Sequence, residues 1–166
     1  MRDFNQPVRA TGPGVVADGP TGAATVLVID PAGEAPHDGI PATWRELTDR
    51  LRIVWLRVPA APEWKSTVDK VLSMHRDDAI RAVLDVVTSG PMAADVIDLV
   101  RHHESLVRTV LLVDPEIEVD EPFARVVVRS YDGPDDRIPA PLPLGHPDVV
   151  FGVVAALNEL RSTTRP

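Results

Sequence analysis

Few side chains in this sequence could carry out a reaction. Ser89 lies in the turn Thr88-Ser-Gly-Pro91, Asp136 in the acidic stretch Tyr131-Asp-Gly-Pro-Asp-Asp136, and His146 just ahead of an apolar run. A serine activated by a histidine that a carboxylate orients is the set that acyl transfer requires. Each also has a plainer reading. A turn serine bonds the first amides of a following helix, a histidine at that place caps or precedes one, and a clustered aspartate is a solvated loop charge. Asp30 and Asp114 each end a strand-like run. They could bind a cation or a sugar hydroxyl, although strand-end aspartates more often accept hydrogen bonds from loop amides. There is no cysteine, which excludes thiol chemistry, disulfides and thiolate-bound metals. His102 and His103 are adjacent and so do not share a helix face; a favourable charge at a helix end suits them better. His37 and His75 have no carboxylates at ligand spacing. No metal site and no cofactor are expected.

Holding these residues requires a scaffold, and the apolar pattern supplies one. Thr25–Asp30, Arg52–Val58, Arg81–Val87, Val107–Asp114 and Ala124–Ser130 are short runs rich in β-branched residues, apolar on both faces, as parallel strands between helices are. Pro41 suits a helix start, with Trp44, Leu47 and Leu51 following at helical spacing. Ser66 with Asp69 resembles a capping box, ahead of Val68, Val71, Leu72 and His75. Met92, Val96, Leu99, Val100 and His103 line the next helix. Residues 115–122 form an acidic connection with little helix. A last helix over 147–161 carries Val150, Val153, Val154, Leu157 and Leu160 on one stripe. The pattern predicts an α/β fold: a three-layer, doubly wound sheet of about five parallel strands. Residues 1–24, rich in Gly and Pro, are expected to form a flexible arm, with Val15-Val16 as a possible short edge strand. A single domain then spans 25–161, and 162–166 is a tail. Trp44 and Trp55 belong to the core by pattern, whereas Trp64 beside Pro62 is the exposed aromatic. Ligands of such sheets bind beyond the strands' carboxyl ends.

Bulk composition narrows the function. A chain of 166 residues fits one domain, and at that size roughly 70% of the unfolded surface is buried. Aromatic residues are 4% and the net charge is −8. Without a basic footprint or stacking surfaces, neither nucleic acid nor an anionic membrane is an expected partner. No stretch approaches the roughly 20 apolar residues of a membrane helix, and no signal-peptide pattern opens the chain. A cytoplasmic location is the expectation.

The order of the pieces resembles the α/β-hydrolase family. VLVIDPAGEA (Val26–Ala35) followed by Trp44 in ATWRELTDRL is similar to the family's opening strand, His-Gly loop and Trp-bearing helix. LRIVWLRVPA (Leu51–Ala60) looks like its next strand. AVLDVVTSGPMAADVIDLVRHHESLVRTVLLVDP (Ala82–Pro115) runs through the elements around its nucleophile elbow, G-x-S-x-G. GPDDRIP (Gly133–Pro139) looks like the loop carrying the family's acid, and LGH (Leu144–His146) like the approach to its histidine. The resemblance covers about residues 25–161. It implies an α/β-hydrolase-like core without a lid, in which Thr88, Gly90 and Met92 occupy the Gly, Ser and Gly positions of the elbow. The nucleophile position is then Gly90, and Ser89 is one residue early. Asp30-Pro31 replaces the oxyanion loop's His-Gly, removing an N–H and adding a charge that repels an oxyanion. Asp136 and His146 match the acid and the histidine, only ten positions apart.

The expectation is a non-catalytic α/β-hydrolase-like domain that binds a protein partner, a second copy of itself, or a small molecule. Its vestigial pocket would be lined by Asp30, Pro31, Gly33, Thr88, Ser89, Gly90, Met92 and Asp114. The alternative is a small serine hydrolase, esterase or thioesterase using displaced Ser89, Asp136 and His146. Other doubly wound families fit less well. A phosphoryl receiver needs an Asp ending its third strand and a Lys after its fifth, but Thr88 and Ser130 stand there. A nicotinamide-binding Rossmann domain needs G-x-G-x-x-G, and Asp30-Pro-Ala-Gly33 offers one glycine.

Overall fold

β-Branched apolar runs favour extended backbone because their side chains pack well on a pleated surface, and each such run in this chain becomes a strand. The computed structural model describes residues 14–32, 39–60, 62–77, 83–130 and 141–163. Within these, the strands are β1 (Val15–Asp18), β2 (Thr25–Asp30), β3 (Arg52–Arg57), β4 (Leu84–Ser89), β5 (Val107–Val113) and β6 (Ala124–Val128). They form one six-stranded sheet in the order β1-β3-β2-β4-β5-β6. β2 to β6 pair in parallel, as the five apolar runs predict, while β1 pairs antiparallel with β3, Val15 opposite Leu56 and Asp18 opposite Ile53. The stretch expected to be an arm over residues 1–24 thus contributes an edge strand in its second half. It covers the outer edge of β3, which would otherwise present unpaired backbone groups.

Helices cover both faces. Helix α1 (Trp64–Asp77) and helix α2 (Ala93–Arg101) lie on one face, where Leu27, Ile29, Val54, Leu56, Val68, Leu72, Val96 and Val100 are buried together. The other face is covered by a 3₁₀ helix (Ala42–Asp49) and by α3 (Pro147–Thr163). Val26, Val28, Trp44, Trp55, Val87, Leu111, Val149 and Val153 fill that layer. With three residues per turn, a 3₁₀ helix stacks positions i and i+3, so Trp44 and Leu47 point inward together. Trp44 meets Trp55 edge to face, with centroids 5.3 Å apart. The molecule is therefore α/β, with a mostly parallel sheet between helical layers. No helix among the described residues is long and apolar enough to cross a membrane.

Several boundaries differ from those the pattern predicts. β4 spans Leu84–Ser89, so Thr88 and Ser89 are strand residues and the turn falls at Gly90; Arg81 and Ala82 of the expected strand lie outside the described residues. α1 begins at Trp64, two residues before the expected cap at Ser66, and Asp69 instead faces His103. Trp64 is half-buried against the α1–α2 layer rather than exposed. On α3 the fully buried positions are Val149, Val153, Ala156 and Leu157; Val150, Val154 and Leu160 are half-buried. α3 also continues into the expected tail, to Thr163.

Candidate functional site

The chain winds from β2 to β3 on one side and places β4 on the other, so the switch point lies between the carboxyl ends of β2 and β4. This is where a parallel sheet opens a crevice for a ligand. Asp30 and Ser89 end the two strands that flank it.

The crevice is tightly tied. Thr88 Oγ1 donates to the Ile29 carbonyl at 2.9 Å, bridging β4 to β2. Asp30 is fully buried. Its Oδ2 accepts from the Trp55 indole at 3.0 Å and its Oδ1 from the Ala32 amide at 2.9 Å. The carboxylate thus holds the strand end and the loop after it, as buried polar groups require. Beside it, in register on β3, Arg57 is only 4% exposed, and both residues make further interactions. A buried arginine next to a buried aspartate at the switch point is a site residue that the apolar pattern did not single out. Its one sequence signal is a charge closing the otherwise unbroken run IVWL.

Gly90 follows Ser89 and turns the chain with φ +50°, a conformation that costs an L-residue about 1–2 kcal/mol. The carbonyl of Gly90 accepts from the Glu116 amide at 3.4 Å. A Cβ built on Gly90 would lie 2.9 Å from Pro141 Cγ and 3.3 Å from Pro141 Cβ. The space into which a side chain at this turn would project is therefore filled by Pro141. Ser89 is extended and buried, and its side chain makes no capping bond to the following turn, which corrects the reading of it as a turn serine bonding helix amides. Met92 packs on the α1–α2 layer, and Pro31 is half-buried beside Asp30.

Asp114 closes the rim at the end of β5 and adopts φ +44°, which aspartate tolerates better than most residues. It accepts three hydrogen bonds: from Ser130 N at 2.5 Å, Ser130 Oγ at 2.6 Å and Leu142 N at 2.9 Å. Burial alone would raise its pKa, but the bonds from Ser130 and Leu142, with the charge of Arg129, outweigh it and hold the carboxyl below its ordinary value. Its lone pairs join β5, β6 and the segment before α3.

His146 stands at the start of α3. Its Nδ1 accepts from the Asp148 amide at 3.1 Å, and its carbonyl accepts from Val149 and Val150. The imidazole therefore caps the helix. Accepting from a backbone N–H requires an unprotonated Nδ1, so the neutral ring carries its proton on Nε2. A histidine that takes a serine's proton needs the opposite tautomer, with Nδ1–H donated to an acid. Among the described residues no hydrogen bond joins Ser89 to His146. The preceding segment is docked on the 3₁₀ helix, with Trp44 Nε1 donating to Leu144 O at 2.8 Å and Thr43 Oγ1 to Gly145 O at 2.6 Å. Gly33, His37 and Asp136 lie outside the described residues.

Two other groups of paired titratable side chains sit away from the rim. His103 lies between Asp69 (3.0 Å) and Arg76 (3.2 Å), and His102 bonds the Asp98 carbonyl. At the amino end of β4, Asp85 receives Arg108 through two bonds of 3.0 and 2.6 Å. Burial pushes the Asp85 carboxyl above its ordinary value, and Arg108 offsets only part of that. No group of three or more potential metal ligands occurs among the described residues. Clefts among these residues lie elsewhere. One of about 350 Å³ is lined by Ala17, Arg52, Val71, Met74 and His75. Another, of about 500 Å³, runs between β6 and α3. No protein-family model, no curated protein and no solved structure matches this chain.

Proposed function

We propose that this chain is a non-catalytic α/β-hydrolase-like domain that acts by binding rather than by turning over a substrate. Gly90 carries the reading. It occupies a sharp strand-to-helix turn with positive φ, the kind of turn on which a hydrolase elbow displays its nucleophile. It has no side chain, and Pro141 fills the space in front of it. Three further observations support the same reading. Ser89, the displaced candidate, is buried in the strand. His146 spends Nδ1 on capping α3. By the resemblance Asp30 stands in the oxyanion loop, where a carboxylate opposes an oxyanion, and it is buried with its oxygens on the Trp55 indole and the Ala32 amide.

The reading is checked with a serine-directed fluorophosphonate probe and a panel of short acyl esters, applied to the full chain and to Ser89→Ala. The expected result is no labelling and no turnover above the buffer rate for either protein. Labelling or turnover that vanishes in Ser89→Ala would overturn it in favour of a serine hydrolase working through Ser89, Asp136 and His146.

A further inference from the structure

The geometry points to a small-molecule site at the amino end of the sheet, in the cleft of about 350 Å³ between α1 and the first three strands, and to a small monocarboxylate with an apolar body as its ligand. Register and alternation build this cleft. Ala17 pairs with Val54 across β1 and β3, and Thr25 with Arg52 across β2 and β3. Successive strand residues point to opposite faces, and Val54 is buried with Leu56, Val68 and Leu72 on the α1 face. Ala17, Thr25 and Arg52 therefore share that face and form the floor. Val71, Met74 and His75 of α1 supply the wall, and the turn at Gly22 and Ala23 closes one end. Small residues leave the hollow unfilled. Ala17 offers a single methyl group, and a Cβ built on Gly22 would meet nothing within 4 Å. Met74, on the wall, is 75% exposed.

The lining decides the ligand's chemistry. Its described residues include an arginine and no carboxylate, although the chain as a whole carries −8. Asp18 alternates onto the opposite face, in register with Ile53 of the other layer. Arg101, Arg108 and Arg125 each pair with an acid. Arg52 differs from them. Its Nη1 donates to Gly19 O at 3.0 Å, and among the described residues that is the one partner of its guanidinium. This bond fixes the half-buried group at the end of the cleft. It leaves Nε and Nη2, the edge through which an arginine grips a carboxylate with two parallel bonds, as Arg108 grips Asp85. Val54, Val71 and Met74 then face the rest of the ligand with apolar surface. Ligand sites run from roughly 300 to 1,000 Å³, and a cleft at the lower end suits one ring on a short acid arm. The site lies at the opposite end of the strands from Gly90, so the inference goes beyond the proposed loss of catalysis and does not rest on it.

Titration of the isotopically labelled full chain with 3-phenylpropanoate, followed by amide NMR shifts, tests the site. The expected dissociation constant is about 1 mM or tighter, with shifts confined to amides around the cleft, Ala17, Gly22, Ala23, Met74 and His75 among them. The uncharged 3-phenylpropanamide is expected to bind about tenfold more weakly or worse. Arg52→Gln keeps a donor for Gly19 O but loses the charge and the fork, and a similar loss of about tenfold or more is expected. Ala17→Leu fills the floor from an exposed strand position and is expected to abolish binding while leaving the amide shifts of β4 and β5 unchanged. Absence of shifts, shifts scattered over the surface, an amide that binds as well as the acid, or Ala17→Leu binding like wild type would overturn the inference. The two readings fail separately: a chain that ignores the acid and resists the fluorophosphonate probe loses only this site, and one that binds the acid here yet shows Ser89-dependent turnover loses only the non-catalytic reading.

Discussion

The carboxyl rim of the sheet and the β6 edge make opposite use of their side chains. At the rim, nearly every group with chemical potential is already committed within the fold. Asp30 holds the Trp55 indole and the Ala32 amide, Asp114 holds Ser130 and Leu142, and His146 holds the Asp148 amide. At the edge, Phe151 and Ala155 face solvent. Lone pairs spent on backbone amides cannot also move a substrate's protons. The rim groups therefore tie strand ends to the loops that follow them.

Substitutions separate the two regions by size of effect. Asp114→Ala removes three hydrogen bonds and leaves two backbone amides without their acceptor, so a loss of about 3–5 kcal/mol is expected in urea unfolding. Asp114→Asn keeps one acceptor oxygen and the tolerance for positive φ, and is expected to lose roughly half as much. Equal losses for Ala and Asn would mean that the carboxylate does not hold the rim together.

The same residue predicts an acid dependence. The folded Asp114 carboxyl lies below its ordinary value, so its contribution is present above the unfolded pKa and is lost as pH falls through the depressed folded one. Asp85 has the opposite sign. Its folded pKa is raised, and its contribution is full below the unfolded value and lost as pH rises through the folded one. Melting followed below neutral pH is expected to flatten on the acid side in Asp114→Asn. Asp85→Asn is expected to change the slope in the opposite sense. Parallel profiles for wild type and Asp114→Asn would remove Asp114 from the account of acid stability.

Gly90→Ser gives the next effect and bears directly on function. It restores a hydroxyl at the turn, but at positive φ and against Pro141; a cost of about 2–3 kcal/mol is expected. On the proposed reading esterase activity is not expected to appear, because His146 Nδ1 is taken up by the Asp148 amide and Asp30 by Trp55 and Ala32. Turnover in Gly90→Ser would mean that only the nucleophile is missing.

How far the sequence reveals this architecture depends on the scale of interaction. Five parallel strands, the burial of Trp44 and Trp55, and the helical layers are readable because apolar periodicity acts over a few residues. β1 was only hinted at by Val15-Val16, since its pairing is decided by the open edge of β3 and not by its own composition. The boundary at Ser89 was missed because a run of small and β-branched residues, Val-Val-Thr-Ser, has no stop signal before Gly90. Gly90 itself was legible as the turn, yet nothing local announces that Pro141 lies against it. The pairing of Asp114 with Ser130 and Leu142, and the placing of Arg57 beside Asp30, are likewise products of strand order.

The smallest effects provide the finest comparison. His146→Ala removes the cap on α3 and is expected to cost about 1 kcal/mol; His146→Asn, which caps as well or better, should recover most of it. Phe151→Ser alters an exposed side chain of the same helix, and its effect on the isolated chain's stability is expected to be within about 0.5 kcal/mol. Measured at low protein concentration, the two substitutions differ through intramolecular terms alone. Equal losses for His146→Ala and Phe151→Ser would mean that the bond from the Asp148 amide to His146 Nδ1 does not stabilise α3.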